Sequence, residues 1–288
     1  MIINKTFIGV LLALFSAASI AIGPILARIS YSYGADVLSV TIFRGVIMII
    51  ICFLILLFKR KIHRPRNKTL LLTLGSGVAF AFMSFGYFES VNYLTVGLAI
   101  SIYFLHPLLV SVASHFLRIT PIKLSHIIAI VITLVGLYMV TESLGGNISQ
   151  FGVFLAFLAA LSVTAMILLN AKALEDSDPI TINFLMVTVT TICLALFAIF
   201  DTKELNLPRS EIGWLSILGV GVTFSFGLMS FFYSVSMIGA VKSTMITCLQ
   251  PAFATIFAAI ILAEFLSLQQ ISGILIIIVG LICRDATA

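Results

Sequence analysis

Few residues of this chain can do chemistry, and most of them stand alone in apolar surroundings. Arg44 lies about seven residues into the apolar run 37–58, which puts it roughly 10 Å below one membrane surface if that run is a spanning helix. An unpaired arginine at such depth costs roughly 2.5–3.5 kcal/mol. Three readings follow: it anchors a substrate carboxylate, it pairs with Glu89, or it snorkels outward and bonds backbone carbonyls. Pro107 and Pro251 fall inside apolar runs, where each removes a backbone hydrogen bond and frees a carbonyl. Tyr103 and His106 stand one turn before and next to the first, Thr247 and Gln250 beside the second. Polar groups at a helix kink can present hydrogen bonds to a ligand, and packing through polar glue is the plainer alternative. The candidate substrate-binding residues are thus Tyr103, His106, Gln250 and Arg44, with Pro107 and Pro251 as kinks. Glu89, Tyr87 and Tyr233, nearer helix ends, are candidates for gating or coupling. Among titratable groups, Glu89 and His106 are the ones placed to relay protons. Lys242, three residues into its run, can snorkel to the surface.

Other chemistry is poorly supported. His106, His115 and His126 are nine and eleven residues apart, which is not a metal-binding spacing on one helix face. Cys52, Cys193, Cys248 and Cys283 are scattered singly and read as small packing residues. No His-Glu-x-x-His, nucleophile elbow or P-loop occurs. We therefore expect no metal, no cofactor and no enzymatic activity. Any transport would draw on a gradient or on exchange, not on ATP.

The elements that must position these residues are set by composition. Of 288 residues, 61% are hydrophobic and 9% charged, against roughly a quarter charged in soluble domains. The solvent for such a surface is lipid. Ten apolar spans are expected near 6–27, 37–58, 69–88, 93–117, 122–140, 151–170, 179–200, 212–232, 240–262 and 267–283. The runs are continuous and not alternating, which favours helices over a barrel. The breaks at 89–92 and 233–239 are slight and imply tight hairpins. The run after Met1–Lys5 is too long for a signal core and reads as a retained helix.

Basic residues argue against nucleic acid and for orientation. Six of the sixteen fall between Lys59 and Lys68. With both termini in the cytoplasm, twelve lie inside and three outside, Arg28, Lys203 and Arg209, with Arg44 inside a span. The expected location is the inner (plasma) membrane. The expected partners are a small-molecule substrate and the bilayer, with no nucleic acid, in a monomer or homodimer.

The runs also repeat. Setting Leu71–Met139 against Leu215–Cys283, 144 residues on, gives 20 identities in 69 ungapped positions, about three times what composition alone would give. Gly75 and Gly77 meet Gly219 and Gly221, Phe80 and Phe82 meet Phe224 and Phe226, and Pro107 meets Pro251. Gly9-Val10 matches Gly152-Val153 one residue out of step. At the same 144-residue offset Arg44 meets Thr188, so symmetry gives it no charged counterpart. Each copy has an odd number of spans, so the second must be inverted. Copies of 1–145 and 146–288 would thus form an all-α integral membrane protein of ten helices, two inverted repeats of five. Inverted repeats are a common way to build two gates around one site near the membrane midplane.

Pro251, Ala263-Glu264, Gln269 to Gly273 and Gly280-Leu281 resemble the drug/metabolite transporter superfamily in its EamA-type branch, with the resemblance extending over the whole chain. The first copy keeps Pro107 and Gly136 but has Thr120 where the glutamate is expected, so Glu264 has no symmetric partner. The resemblance implies an inner-membrane carrier of small metabolites, often an exporter of amino acids or related compounds. A channel, or a receptor or assembly subunit that transports nothing, are the rival functions. A carrier should show a polar-lined central cavity closed at one end, and a scaffold a filled interior.

Overall fold

A computed structural model describes residues 5–59, 65–121, 124–141, 149–200, 205–262 and 267–285. Its helices are α1 (Lys5–Ser32), α2 (Val37–Phe58), α3 (Asn67–Ser90), α4 (Val96–Tyr103), α5 (His106–Phe116), α6 (Leu124–Thr141), α7 (Gln150–Ala173), α8 (Pro179–Phe200), α9 (Glu211–Ile238), α10 (Ala240–Thr247), α11 (Gln250–Leu262) and α12 (Leu268–Asp285). Twelve helices make ten spans, because α4–α5 and α10–α11 are each one span broken at its proline. Eight segments are long and apolar enough to cross a bilayer, and the apolar parts of α6 and α12, Ile127–Val140 and Leu268–Gly280, supply the two shorter spans. No strand occurs among the described residues.

Helix starts are written in short polar side chains. Asp36 accepts the Ser39 amide at 2.6 Å, and Thr95, Ser149 and Ser210 each accept the amide three residues on. One expectation at a helix end is corrected. The residues from Tyr233 onward belong to α9, and the break before α10 is Gly239 alone, at φ 81°. A left-handed residue reverses the chain without a loop, and only glycine takes that conformation at little cost.

Contacts between helices establish the inversion. On α6 and α12, Gly136 faces Gly273 and Ile277, while Gly280 faces Ala129 and Thr133. Each residue of the first set has its 144-residue counterpart in the second, so exchanging the copies maps the contact onto itself. The pair is antiparallel, and a Cβ on Gly136 would lie 2.7 Å from the Gly273 carbonyl oxygen. Such close approach is how helices associate where lipid removes the hydrophobic drive. The same symmetry recurs at the periphery. Gly9 of α1 packs on Met237 and Ile238, and its counterpart Gly152 of α7 packs on Tyr93 and Leu94. α2 and α8 are antiparallel as well, with Gly45 against Thr191 and Phe53 against Phe184.

The core runs between the copies, with Met48, Val163, Ile167, Met186, Phe224, Phe232 and Met245 among its buried members. Aromatics sort by side: Phe80 and Phe224 are buried, whereas Phe82 and Phe226 face outward. Buried hydroxyls mostly bond carbonyls on their own helices, as Ser84 does to Phe80 and Thr244 to Ala240. Segments from both copies meet at each end of the bundle. At one end the Asp36 carboxylate accepts the Asn206 amide at 2.8 Å, and the Tyr33 carbonyl accepts the Arg209 amide at 2.9 Å. At the other, Arg66 and Asp176 approach to 3.6 Å.

Candidate functional site

Arg44 points from α2 into the bundle, not to lipid. Its guanidinium carbon sits 4.1 Å from the centroid of the Phe224 ring on α9, a cation–π contact across the two copies. Phe224 in turn stacks on Phe80, its own repeat counterpart, with centroids 6.2 Å apart and planes 3° from parallel. Tyr31 of α1 and Tyr103 of α4 lie within electrostatic reach of the guanidinium. Tyr103 extends the cluster, with Tyr87 at 5.5 Å and His106 at 5.0 Å between ring centroids. Five helices, α1, α2, α3, α4 and α9, thus contribute to one polar and aromatic cluster, with His106 at its edge on α5.

Two of the three readings of Arg44 lose ground. It forms no ion pair among the described residues, and Glu89 instead accepts the Asn92 side-chain amide at 3.2 Å. The expected Arg44–Glu89 gate pair is therefore not formed. Its guanidinium rests over the Phe224 ring, which does not fit a side chain snorkelling outward.

The structure also corrects the counterpart of Arg44. Asp36 caps α2, and Asp178 caps α8 by accepting the amides of Ile180 and Thr181. Gly221 lies on Ile47, while Gly77 lies on Val189. Both pairings set the offset between α2 and α8 at 142 residues, not 144. Arg44 then corresponds to buried Met186 instead of Thr188. Either way the cation stands in one copy only.

At the prolines the structure goes further than a kink. Pro107 is the second residue of α5 and Pro251 the second residue of α11, and both spans are interrupted there. The carbonyl that Pro107 leaves without an amide is that of Tyr103, and the His106 ring nitrogen Nδ1 lies 3.0 Å from it. A carbonyl only accepts, so Nδ1 carries the proton and Nε2 is left as an acceptor in the neutral ring. His106 is thus buried and tied to the break. Gln250 opens α11 half-buried, and no hydrogen bond among the described residues joins it to the Arg44 cluster.

Tyr87 stands with the cluster, its ring centroid 5.5 Å from that of Tyr103. Tyr233 is half-buried against the core that runs between the copies. Tyr31 and the Phe80–Phe224 floor were missed by sequence reasoning. The first span was expected to end at 27, but α1 continues through Ser32 and brings Tyr31, which stays partly exposed, within electrostatic reach of Arg44. The signal was the absence of a helix breaker between Ala27 and Tyr33-Gly34. Glu142, Glu264, Lys61 and Lys203 lie outside the described residues.

A small cleft beside Pro107, about 10 Å³, is lined by Phe104, Ile130, Thr133, Leu134, Leu137 and Cys248. It is not the expected polar-lined cavity, since its one hydroxyl, on Thr133, bonds the Ala129 carbonyl.

The fold defines a multi-pass α-helical membrane protein built of two inverted repeats. The profile of the EamA-like transporter family matches residues 7–142 and again 150–283, and the chain belongs to that family. Among similar proteins, an uncharacterized transporter of Archaeoglobus fulgidus is 25% identical over 213 residues, 74% of each chain. The uncharacterized transporter YxxF of Bacillus subtilis is 26% identical over 227 residues, 77% of this chain and 71% of its own. A solved crystal structure superposes with a TM-score of 0.81 at 17% identity, covering 99% of both chains, which speaks to the fold.

Proposed function

We propose that the protein is a secondary carrier that moves a small organic metabolite, amino-acid-like or a related compound, by alternating access around the Arg44 cluster. The observation that carries this reading is a guanidinium held inside the bundle with no acidic partner among the described residues, stacked on an aromatic pair that joins the two copies. Isolated charges within membrane spans mark substrate or ion pathways. The cross-copy contacts at both ends, Asp36 with Asn206 and Arg66 with Asp176, are then the closures to open in turn. The family resemblance favours export from the cytoplasm, and the excess of basic residues on one side favours an inner-membrane location with both termini cytoplasmic. No catalytic step is needed. The cargo and the bilayer are its partners, and it works as a monomer or homodimer.

The test is exchange in proteoliposomes. A preloaded amino-acid-like solute should exchange saturably with external label, without ATP, and Arg44→Gln should slow exchange at least tenfold. Linear, unsaturable flux of ions would support a channel instead.

A further inference from the structure

The chemistry of the cluster narrows what it takes. We propose that the cargo bears a single delocalised negative charge, such as a carboxylate, on a flat apolar body, so that organic monoanions bind better than zwitterions or cations of the same skeleton. This deepens the carrier reading and rests on it for the site's role. A guanidinium has five N–H donors in one plane, and carboxylates bind along that edge in pairs of parallel hydrogen bonds. Arg44 sits over the Phe224 ring, its guanidinium carbon 4.1 Å from the ring centroid, and its N–H donors directed away from the ring are the recognising surface. Among the described residues no protein acceptor is hydrogen-bonded to that edge. Its neighbours Tyr31 and Tyr103 are phenols, neutral groups that can donate to an anion beside the arginine.

The acids that could welcome an ammonium are committed elsewhere. Asp36 takes the Ser39 and Asn206 amides, and Glu89 takes the Asn92 side chain. The nearby histidine, His106, spends Nδ1 on the Tyr103 carbonyl. The one formal charge in the cluster is therefore positive, and its repeat counterpart, Met186, is neutral. One guanidinium matches one carboxylate; a phosphate dianion would call for a second cation that the cluster lacks among the described residues. The parallel Phe80 and Phe224 rings, with Tyr103 and Tyr87 at the side, suit a flat apolar body.

The experiment uses the full-length purified protein and three ligands that share a phenyl ring and a short chain: phenylpropionate, phenylalanine and phenethylamine. Calorimetric binding at neutral pH should rank them in that order. A charge-assisted contact to a single arginine should separate the anion from the cation by roughly ten- to a hundredfold. Arg44→Gln should flatten the ranking, and Arg44→Lys should keep the order with weaker binding of the anion, since a point charge lacks the planar edge. Trp214, in edge contact with Phe43 beside Arg44 at 5.2 Å, offers fluorescence as a second readout. Unchanged thermal melting of both variants guards against misfolding. Equal or tighter binding of phenethylamine overturns the proposal. So does phenylpropionate affinity that survives Arg44→Gln, or the absence of saturable phenylpropionate binding to the wild-type protein. If phenylpropionate binds through Arg44 and yet proteoliposomes exchange nothing, the carrier reading fails while the anion site stands.

Discussion

His106 shows how one side chain can serve the backbone before it serves a ligand. Its neighbour Pro107 lacks an amide, and the Tyr103 carbonyl left over lies 3.0 Å from the imidazole Nδ1. A buried carbonyl without a donor costs about 1–3 kcal/mol. His106→Ala should therefore destabilise the protein by that order, as well as weaken transport. His106→Asn places an amide N–H near the same carbonyl and should recover most of the stability. Thermal melting of the two variants in detergent is the check, and equal losses would mean that the ring contributes packing alone.

Helices carry the next level of organisation, and they meet where side chains are smallest. Gly136, Gly273 and Gly280 let α6 and α12 approach until backbone meets backbone. Gly136→Val would drive a side chain into the Gly273 carbonyl and the Ile277 side chain. Overpacking of this kind typically costs 1–3 kcal/mol, occasionally more. The expected result is a lower melting temperature and a reduced yield of monodisperse protein. The same change at Gly23, where a Cβ would meet nothing within 4 Å, should be tolerated. The broken spans obey a different logic. Their prolines place helix ends inside the protein, and irregular backbone at membrane depth is tolerated only where it is buried in protein or lines a water-filled cavity.

The whole molecule is defined by its antiparallel halves, and that has a labelling consequence. Lys68, in the first turn of α3, and Arg209, before α9, are both exposed. Their helices hold the same place in oppositely oriented copies, so the two positions lie at opposite ends of the bundle. Cysteines introduced singly at these positions should label from opposite sides of sealed vesicles with an impermeant maleimide. Labelling from one side would contradict the inversion. The contacts at both ends also join copy to copy, and these are the contacts the proposed carrier would have to open in turn.

The sequence by itself determined the solvent, the helical class, the spans and the repeat. These follow from local apolar continuity and from an odd count of crossings, quantities that need no contacts. It also singled out Arg44, Tyr103 and the two prolines, because charge and missing amides are costly in lipid wherever the chain goes. What only the tertiary structure decided is which of them meet. Arg44 could reach Glu89 on spacing alone, yet the arrangement of α2 and α9 turns it onto Phe224. Tyr31 entered the site because α1 runs one turn further than its apolar run. The counterpart of Arg44 shifted by two residues because caps and helix contacts set the register between copies, and ungapped identity carries no information across a turn of different length. Composition and periodicity report on a helix and its solvent. The rotation of each helix, which decides the faces that converge, is settled by packing against neighbours far away in the chain.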